Sequence, residues 1–108
     1  MNTIKSNSDI SEIFSKGSRY NTPSVVFITL KRNDRASKSS GRVAYITSKK
    51  LGNAVWRNSA KRRLREVCRQ TIKVPNTYDV VLIAKKNILK RDFWKIVKEC
   101  DKIKYQFK

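Results

Sequence analysis

Hydrophobic spacing near the N-terminus predicts a short amphipathic helix. Ile10, Ile13 and Phe14 recur at i, i+3 and i+4, so they share one face of a helix. Ser8 or Asp9 is suited to be the N-cap, and a glycine stops the pattern. This helix is expected to rest its apolar face on another element.

Two apolar segments, one in each half of the chain, predict β-strands. Residues 23–30 (PSVVFITL) are β-branched and apolar, and contain no strong helix former. Residues 78–84 (YDVVLIA) are almost continuously apolar, which is typical of a strand buried on both faces. The second of these strands is therefore predicted to be central in its sheet.

Residues 42–47 (RVAYIT) predict another strand, in which Val43, Tyr45 and Thr47 alternate onto one face. The polar and charged residues 31–41 separate it from the preceding strand. Their composition predicts an exposed hairpin loop.

A longer helix with two distinct faces is predicted from about Trp56 to Thr71, after turn signals in residues 48–53 and before the helix-breaking Pro75. About a third of its circumference carries the predicted buried stripe of Ala60, Leu64, Val67, Cys68 and Thr71. A neighbouring sector carries Asn58, Lys61, Arg62, Arg65 and Arg69. The basic residues are thus sorted onto a face beside the one that packs on the sheet.

A C-terminal helix is predicted over residues 90–104, where an apolar stripe repeats at helical spacing: Phe93, Ile96, Val97, Cys100 and Ile103. The order of elements is then α-β-β-α-β-α. This order predicts an α+β protein, an α/β sandwich in which helices cover a small sheet. With 108 residues and no linker or repeat, residues 1–108 are expected to form a single domain.

Charge changes this picture of an ordinary small domain. The formal net charge is +18, which costs stability by self-repulsion unless a polyanion binds. Nucleic acid is the first candidate partner and an anionic membrane surface is the second. No apolar run approaches the roughly 20 residues of a spanning helix, and the N-terminus does not resemble a signal peptide. A soluble, cytoplasmic protein is therefore expected. Because nucleic acid is preferred over a membrane surface as the polyanion, neither a membrane partner nor a small-molecule substrate is predicted.

Several kinds of catalytic site are disfavoured. Cys68 and Cys100 are far apart and the chain has no histidine, so a structural zinc site is not expected and both thiols are predicted to be free and buried. The eight acidic residues are scattered, which argues against a two-metal nuclease centre. If the protein takes part in phosphodiester chemistry, another molecule is expected to supply the catalytic groups.

The basic residues are concentrated where the long helix begins. Residues 49–65 contain seven basic side chains and no acidic one, and residues 35–65 contain ten and none. A surface that only confers solubility normally mixes both signs of charge, which argues against that role for this cluster. The interpretation of the cluster as a solvated surface nevertheless stays open. Binding to folded RNA by shape and phosphate fits better than reading DNA bases, because the face lacks base-reading Asn or Gln residues at regular spacing and carries only Asn58 of that kind.

The segment SKKLGNAVWRNSAKRRLREVCR (residues 48–69) closely resembles the signature of the bacterial ribonuclease P protein subunit, S-K-K-x-G-N-A-V-x-R-N-x-x-K-R-x-x-R. Twelve positions in an 18-residue window match it. They are Ser48, Lys49, Lys50, Gly52, Asn53, Ala54, Val55, Arg57, Asn58, Lys61, Arg62 and Arg65. The order of the flanking elements also resembles that of the family.

This resemblance implies the small basic subunit of a ribonucleoprotein that removes the 5′ leader from precursor tRNA. The implied partners are the catalytic ribonuclease P RNA and precursor tRNA, and the implied cofactor is Mg²⁺ held mainly by the RNA. The implied fold is a ribosomal-protein-like mixed sheet with a left-handed crossover between parallel strands. A structural rRNA-binding protein without a catalytic role is the alternative, and a DNA or membrane-surface binder is a weaker one.

The resemblance also implies site residues. The RNA contacts would be Lys49, Lys50, Asn53, Arg57, Asn58, Lys61, Arg62, Arg65 and Arg69. A cleft for the leader would involve Ile10, Phe14 and Ile28, of which the two isoleucines stand where the family often has aromatics. Ser59 replaces the third residue of the family's R-N-R.

Other interpretations of single residues stay open. Gly52 and Asn53 are equally explained by turn chemistry. Phe14 is equally suited to core packing, and Trp56 either staples the start of the helix or stacks on RNA.

Overall fold

The computed structural model describes residues 2–4, 6–32, 41–75 and 77–107. Five strands are β1 (Asn2–Thr3), β2 (Ser18–Asn21), β3 (Val25–Lys31), β4 (Arg42–Ile46) and β5 (Tyr78–Ala84). Three α-helices are α1 (Asn7–Lys16), α2 (Ala54–Thr71) and α3 (Phe93–Cys100), and 3₁₀ turns cover Lys86–Leu89 and Asp101–Gln106. Among the helices of these ranges, none has the length and apolar character needed to cross a bilayer.

The strands form one mixed sheet in the order β1-β4-β5-β3-β2. Strand β5 pairs in parallel with β4 and antiparallel with β3, so its predicted central position is confirmed. The predicted α-β-β-α-β-α order is also confirmed among the described residues, although the sequence patterns missed the short strands β1 and β2 and the two 3₁₀ turns. The last part of the predicted C-terminal helix is 3₁₀, because α3 ends at Cys100. Helix α2 connects the parallel neighbours β4 and β5, while the left hand of this crossover stays a prediction.

The prediction of a hairpin between β3 and β4 was wrong. These strands do not pair, because β5 lies between them and bonds to both. Most of the predicted loop, residues 33–40, lies outside the described residues. Local composition indicates a loop but carries no information on which strand fills the space between its two ends.

Two helix starts differ from the predictions. Helix α1 is capped by Ser6, whose hydroxyl accepts a hydrogen bond from Asp9 N at 3.4 Å, so neither Ser8 nor Asp9 is the N-cap. Helix α3 begins later than predicted, because Asp92 caps it and accepts from Lys95 N at 3.1 Å. Both cases follow from the N-cap rule, which several Ser or Asp residues in sequence satisfy equally well.

Helices cover both faces of the sheet. Helices α2 and α3 pack on the face formed by Val43, Val80 and Leu82, whereas α1 packs on the face formed by Ile28 and Val81. The predicted stripe of α2 is confirmed at every position: Ala60, Leu64, Val67, Cys68 and Thr71 are all buried. Both cysteines are free and buried, as predicted.

An ion-pair network joins α1 to the sheet. Asp79 of β5 is completely buried and accepts from Arg32 Nε at 3.0 Å and from Arg42 Nη2 at 2.7 Å. The same arginines reach α1, since Arg42 Nη1 lies 3.2 Å from Asp9 Oδ2 and Arg32 pairs with Glu12. These charges, far apart in the sequence, hold the N-terminal half of α1 against one end of the sheet.

Candidate nucleic-acid interface

The loop before α2 is built by short-range contacts that expose its lysines. Leu51 N donates to Ser48 O at 3.1 Å, and Lys50 N donates to Ser48 Oγ at 3.2 Å. Lys49 and Lys50 occupy the turn that these bonds close, and both side chains are exposed. A serine turn therefore presents two neighbouring cations at the carboxyl end of β4.

Gly52 and Trp56 fix the angle at which this loop joins the helix. A Cβ atom on Gly52 would lie only 2.7 Å from Cγ of Trp56, so a larger residue would displace the indole ring. The half-buried Trp56 packs against the core on the α2 side of the sheet. This packing gives Gly52 a structural reason. Trp56 is the third residue of α2 and does not precede the helix, so stapling of the helix start and stacking on RNA both stay predictions for it.

Asn53 is the N-cap of α2. Its Oδ1 accepts from Trp56 N at 2.9 Å, and its side chain is exposed. The cap leaves the amide NH₂ of Asn53 directed away from that bond, so turn chemistry and an RNA contact are compatible at this residue.

The predicted basic face of α2 lies on the protein surface. Its exposed residues are Asn58, Lys61, Arg62, Arg65 and Arg69, and Arg57 is half-buried. No acidic residue lies in the first turn of the helix. The face is cationic over its length, with Glu66 as the one acid of the helix at its margin.

Two arginines in the second half of this face have partners. Arg69 pairs with Glu66 at 3.2 Å, and because both side chains are largely exposed the pair contributes little to stability. Arg65 places its guanidinium carbon 5.6 Å from the ring centroid of Tyr45, a residue of β4. Sequence analysis placed Tyr45 on a strand face but assigned it no role.

The residues predicted to form the leader cleft do not share one environment. Phe14 is 40% exposed, so the alternative of core packing was wrong for this residue; Ile13 occupies the core instead. Ile10 is half-buried at the α1 edge of its cluster. Ile28 is only 1% exposed, which places it in the core and not on the protein surface.

Strand register supplies a surface that the sequence patterns missed. Val26, Ile83 and Ile46 are paired across β3, β5 and β4 and form one apolar row. All three are half-buried, whereas the adjacent row of Ile28 and its neighbours is buried. Their spacing in the sequence gives no signal, because only the pairing of the strands aligns them.

The apolar row and the basic loop lie at the same end of the sheet. Ile46 is the last residue of β4, and the loop with Lys49 and Lys50 follows directly. The basic face of α2 begins at this end, but the helix itself packs on the opposite face of the sheet from α1. One extended polyanion could therefore contact both surfaces by passing the end of β4.

The acids of the α1–sheet network do not fit a protein-held Mg²⁺ site. Both oxygens of Asp79 accept from arginines, and Asp9 and Glu12 each pair with one. Elsewhere in the described ranges, no group of three or more acidic or cysteine residues is arranged to hold a metal ion. Hydrogen bonding to Asp79 is the largest effect that raises the pKa of Arg42, so its guanidinium keeps its charge.

Comparison with known proteins places this geometry in a family. The model of the family described as Ribonuclease P matches residues 1–108. The ribonuclease P protein component of Mesoplasma florum is 36% identical over 106 residues, covering 96% of this chain and 93% of the relative. That of Fusobacterium nucleatum is 35% identical over 88 residues, covering 80% and 75%.

Solved structures agree with the fold. The RNase P protein of Staphylococcus aureus superposes with a TM-score of 0.74 at 27% identity, covering 95% of this chain and 92% of that one. The RNase P protein of Thermotoga maritima gives a TM-score of 0.76 at 22% identity, a likeness that concerns the fold alone.

Proposed function

Because this chain belongs to the ribonuclease P protein family, we propose that it binds the catalytic RNA and the 5′ leader of precursor tRNA and so promotes leader removal. The family makes it a subunit of a ribonuclease. The observation that carries the finer proposal is the exposed basic face of α2, which continues into the loop at Lys49 and Lys50.

The catalytic RNA is assigned to that face and loop. Arginine forks suit bidentate contacts with phosphate, and each contact releases counterions from the RNA. The buried stripe of α2 holds the helix on the sheet, so its cations are displayed without a large ordering cost on binding. Arg57, Arg62 and Arg65 are proposed as the principal phosphate contacts.

The leader is assigned to the other face of the sheet, between α1 and the apolar row of Val26, Ile83 and Ile46. Phe14 is the exposed aromatic residue of α1 and is proposed to stack on an unpaired base. Ile10 offers apolar contact without a π face. We therefore expect stacking to contribute less than charge to leader binding by this protein.

The hydrolytic groups are assigned to the RNA. The chain has no histidine, and the acids nearest the proposed leader surface are engaged with arginines. In the holoenzyme Mg²⁺ would supply charge stabilisation for the attack on the phosphodiester, held by the RNA. The protein's own contribution is to lower the repulsion between two polyanions and to position the leader.

A structural rRNA-binding protein is the alternative, since a basic helix on a small sheet suits that function too. The test is to add the protein to a bacterial ribonuclease P RNA and precursor tRNA at low Mg²⁺. Faster leader removal supports the proposal. RNA binding without stimulation would favour the alternative, and cleavage by the protein alone would contradict the assignment of catalysis to RNA.

A further inference from the structure

A small pocket opens at the edge of the sheet beside the second half of α2. It has a volume of about 230 Å³ and is lined by Thr3 of β1, Val43 and Tyr45 of β4, and Arg65 and Arg69 of α2. Sites for whole small-molecule ligands usually occupy roughly 300–1,000 Å³. This pocket is therefore suited to a fragment of a ligand, such as one base of a larger chain.

The lining combines an aromatic ring with two cations. The Arg65 guanidinium carbon lies 5.6 Å from the Tyr45 ring centroid, so a planar, charged group already rests over that ring. Arg69 stands one turn further along α2 and reaches the same opening. None of the described residues that line the pocket is acidic, and Glu66 pairs with Arg69 at 3.2 Å.

Tyr45 is held firmly from below. Its side chain is half-buried and packs against the core on the α2 side of the sheet. Val43, two residues earlier, is buried and forms the floor, and Thr3 is fixed opposite it by the β1–β4 pairing. A rigid aromatic wall loses little conformational entropy when a second ring stacks on it.

We propose that this pocket receives one unstacked nucleotide of the bound RNA. Its phosphate draws the Arg65 guanidinium toward Arg69, and its base takes the place of that guanidinium against Tyr45. The proposal rests on the RNA-binding function proposed above. Arg65 and Arg69 belong to the basic face of α2, so RNA bound along this face lies beside the pocket. An aromatic ring beside arginines is the combination that recognises single-stranded nucleotides.

The test compares Tyr45→Phe with Tyr45→Leu in binding to ribonuclease P RNA and, separately, to precursor tRNA. Tyr45→Phe keeps the π face and should leave Kd within about twofold. Tyr45→Leu should raise Kd by about fivefold or more, because the stacking of one base is removed. The slope of log K against log[salt] should not change, since every phosphate remains neutralised. Thr3→Leu narrows the pocket from its rim and should act like Tyr45→Leu.

The matched control is Tyr105→Leu, which removes an exposed tyrosine that also lies under a cation, Lys104 at 5.3 Å, and should leave Kd unchanged. Thermal unfolding of each variant shows whether it is folded. RNA carrying 4-thiouridine, in one RNA at a time, should crosslink on irradiation to the peptide that contains Tyr45 and thereby identify the source of the nucleotide.

Two results would overturn the proposal, and they differ in whether the RNA-binding function also fails. If folded Tyr45→Leu and Thr3→Leu both bind like the parent and the peptide is not labelled, while Arg57→Ala weakens binding, the pocket is empty and the RNA-binding function stands. If the parent protein binds neither RNA, both proposals fail together.

Discussion

Asp79 accepts two parallel hydrogen bonds from Arg42, Nε to Oδ1 at 3.0 Å and Nη2 to Oδ2 at 2.7 Å. This bidentate pair is at the centre of the network that joins α1 to the sheet. Removing the negative charge of a buried carboxylate in such a network is costly, because its arginines are then left without a counter-charge. The pair therefore governs whether the helix that borders the proposed leader surface stays in place.

Replacing Asp79 by Asn should lower the free energy of unfolding by about 3 kcal/mol or more, since it leaves Arg32 and Arg42 without their shared counter-charge. Urea unfolding measures the change. Asp101→Asn is the matched control, because the Asp101–Lys104 pair at 3.0 Å is exposed to solvent and should contribute little to stability. Equal losses in the two variants would contradict a structural role for the network.

Arg57→Ala and Arg65→Ala should each weaken binding to the catalytic RNA. Each should also reduce the slope of log K against log[salt] by about one, because one phosphate of the RNA is no longer neutralised by the protein. Fluorescence anisotropy over a salt series measures both quantities. Lys98→Ala, an exposed cation on α3, serves as control and should change neither. Unchanged binding in both arginine variants would rule out the α2 face as the docking surface.

Phe14→Ala should weaken binding of precursor tRNA by the holoenzyme by about 1–3 kcal/mol if one base stacks on the ring, with little loss of stability, because the ring is 40% exposed. Ile28→Ala should instead lower the free energy of unfolding by about 2–5 kcal/mol, since Ile28 is in the core, and should have little direct effect on leader binding. Precursors with and without a leader, compared in each variant, separate the two effects. A loss of affinity that is independent of the leader would contradict the assignment of Phe14.

Gly52→Ala should destabilise the protein by about 1–3 kcal/mol, because the added methyl group meets the Trp56 ring at 2.7–2.8 Å. Trp56→Ala in the same chain should relieve the contacts with the ring but keeps Cβ of residue 56 at 2.8 Å, so a double-mutant cycle should show partial coupling between the two positions. Additive losses, measured by denaturant unfolding, would show that the two residues do not constrain each other.

Alkaline pH should destabilise the fold through Cys100. Burial is the largest effect that raises the pKa of this thiol, to about 11, whereas an unfolded thiol titrates near 8.5. The protonated thiol is favoured in the folded state, so this contribution is complete below about pH 8.5 and is lost as the pH rises toward 11. Cys100→Ala should be less stable at neutral pH but should lose less stability over that range, as measured by denaturant unfolding at a series of pH values. An identical pH dependence in parent and variant would exclude the thiol as the cause.

The pattern of side chains along single segments was enough to predict much of the fold. The five buried residues of α2, from Ala60 to Thr71, follow from helical periodicity alone, and the central position of β5 follows from its continuous apolar run. The position of the basic face is equally local, because it is the neighbouring sector of the same helix. The 12 matched signature positions then identified the family before any tertiary contact was known.

Only the tertiary structure decided which residues of different strands and helices are neighbours. Strand pairing placed β5 between β3 and β4 and aligned Val26, Ile83 and Ile46 into a row. The packing of helices on the sheet brought Asp9 and Glu12 to the arginines that bind Asp79. It also placed Arg65 beside Tyr45. Periodicity reports which face of its own element a side chain occupies. The neighbour it meets depends on the order and register of the strands, which are set by packing the whole chain and not by any one segment.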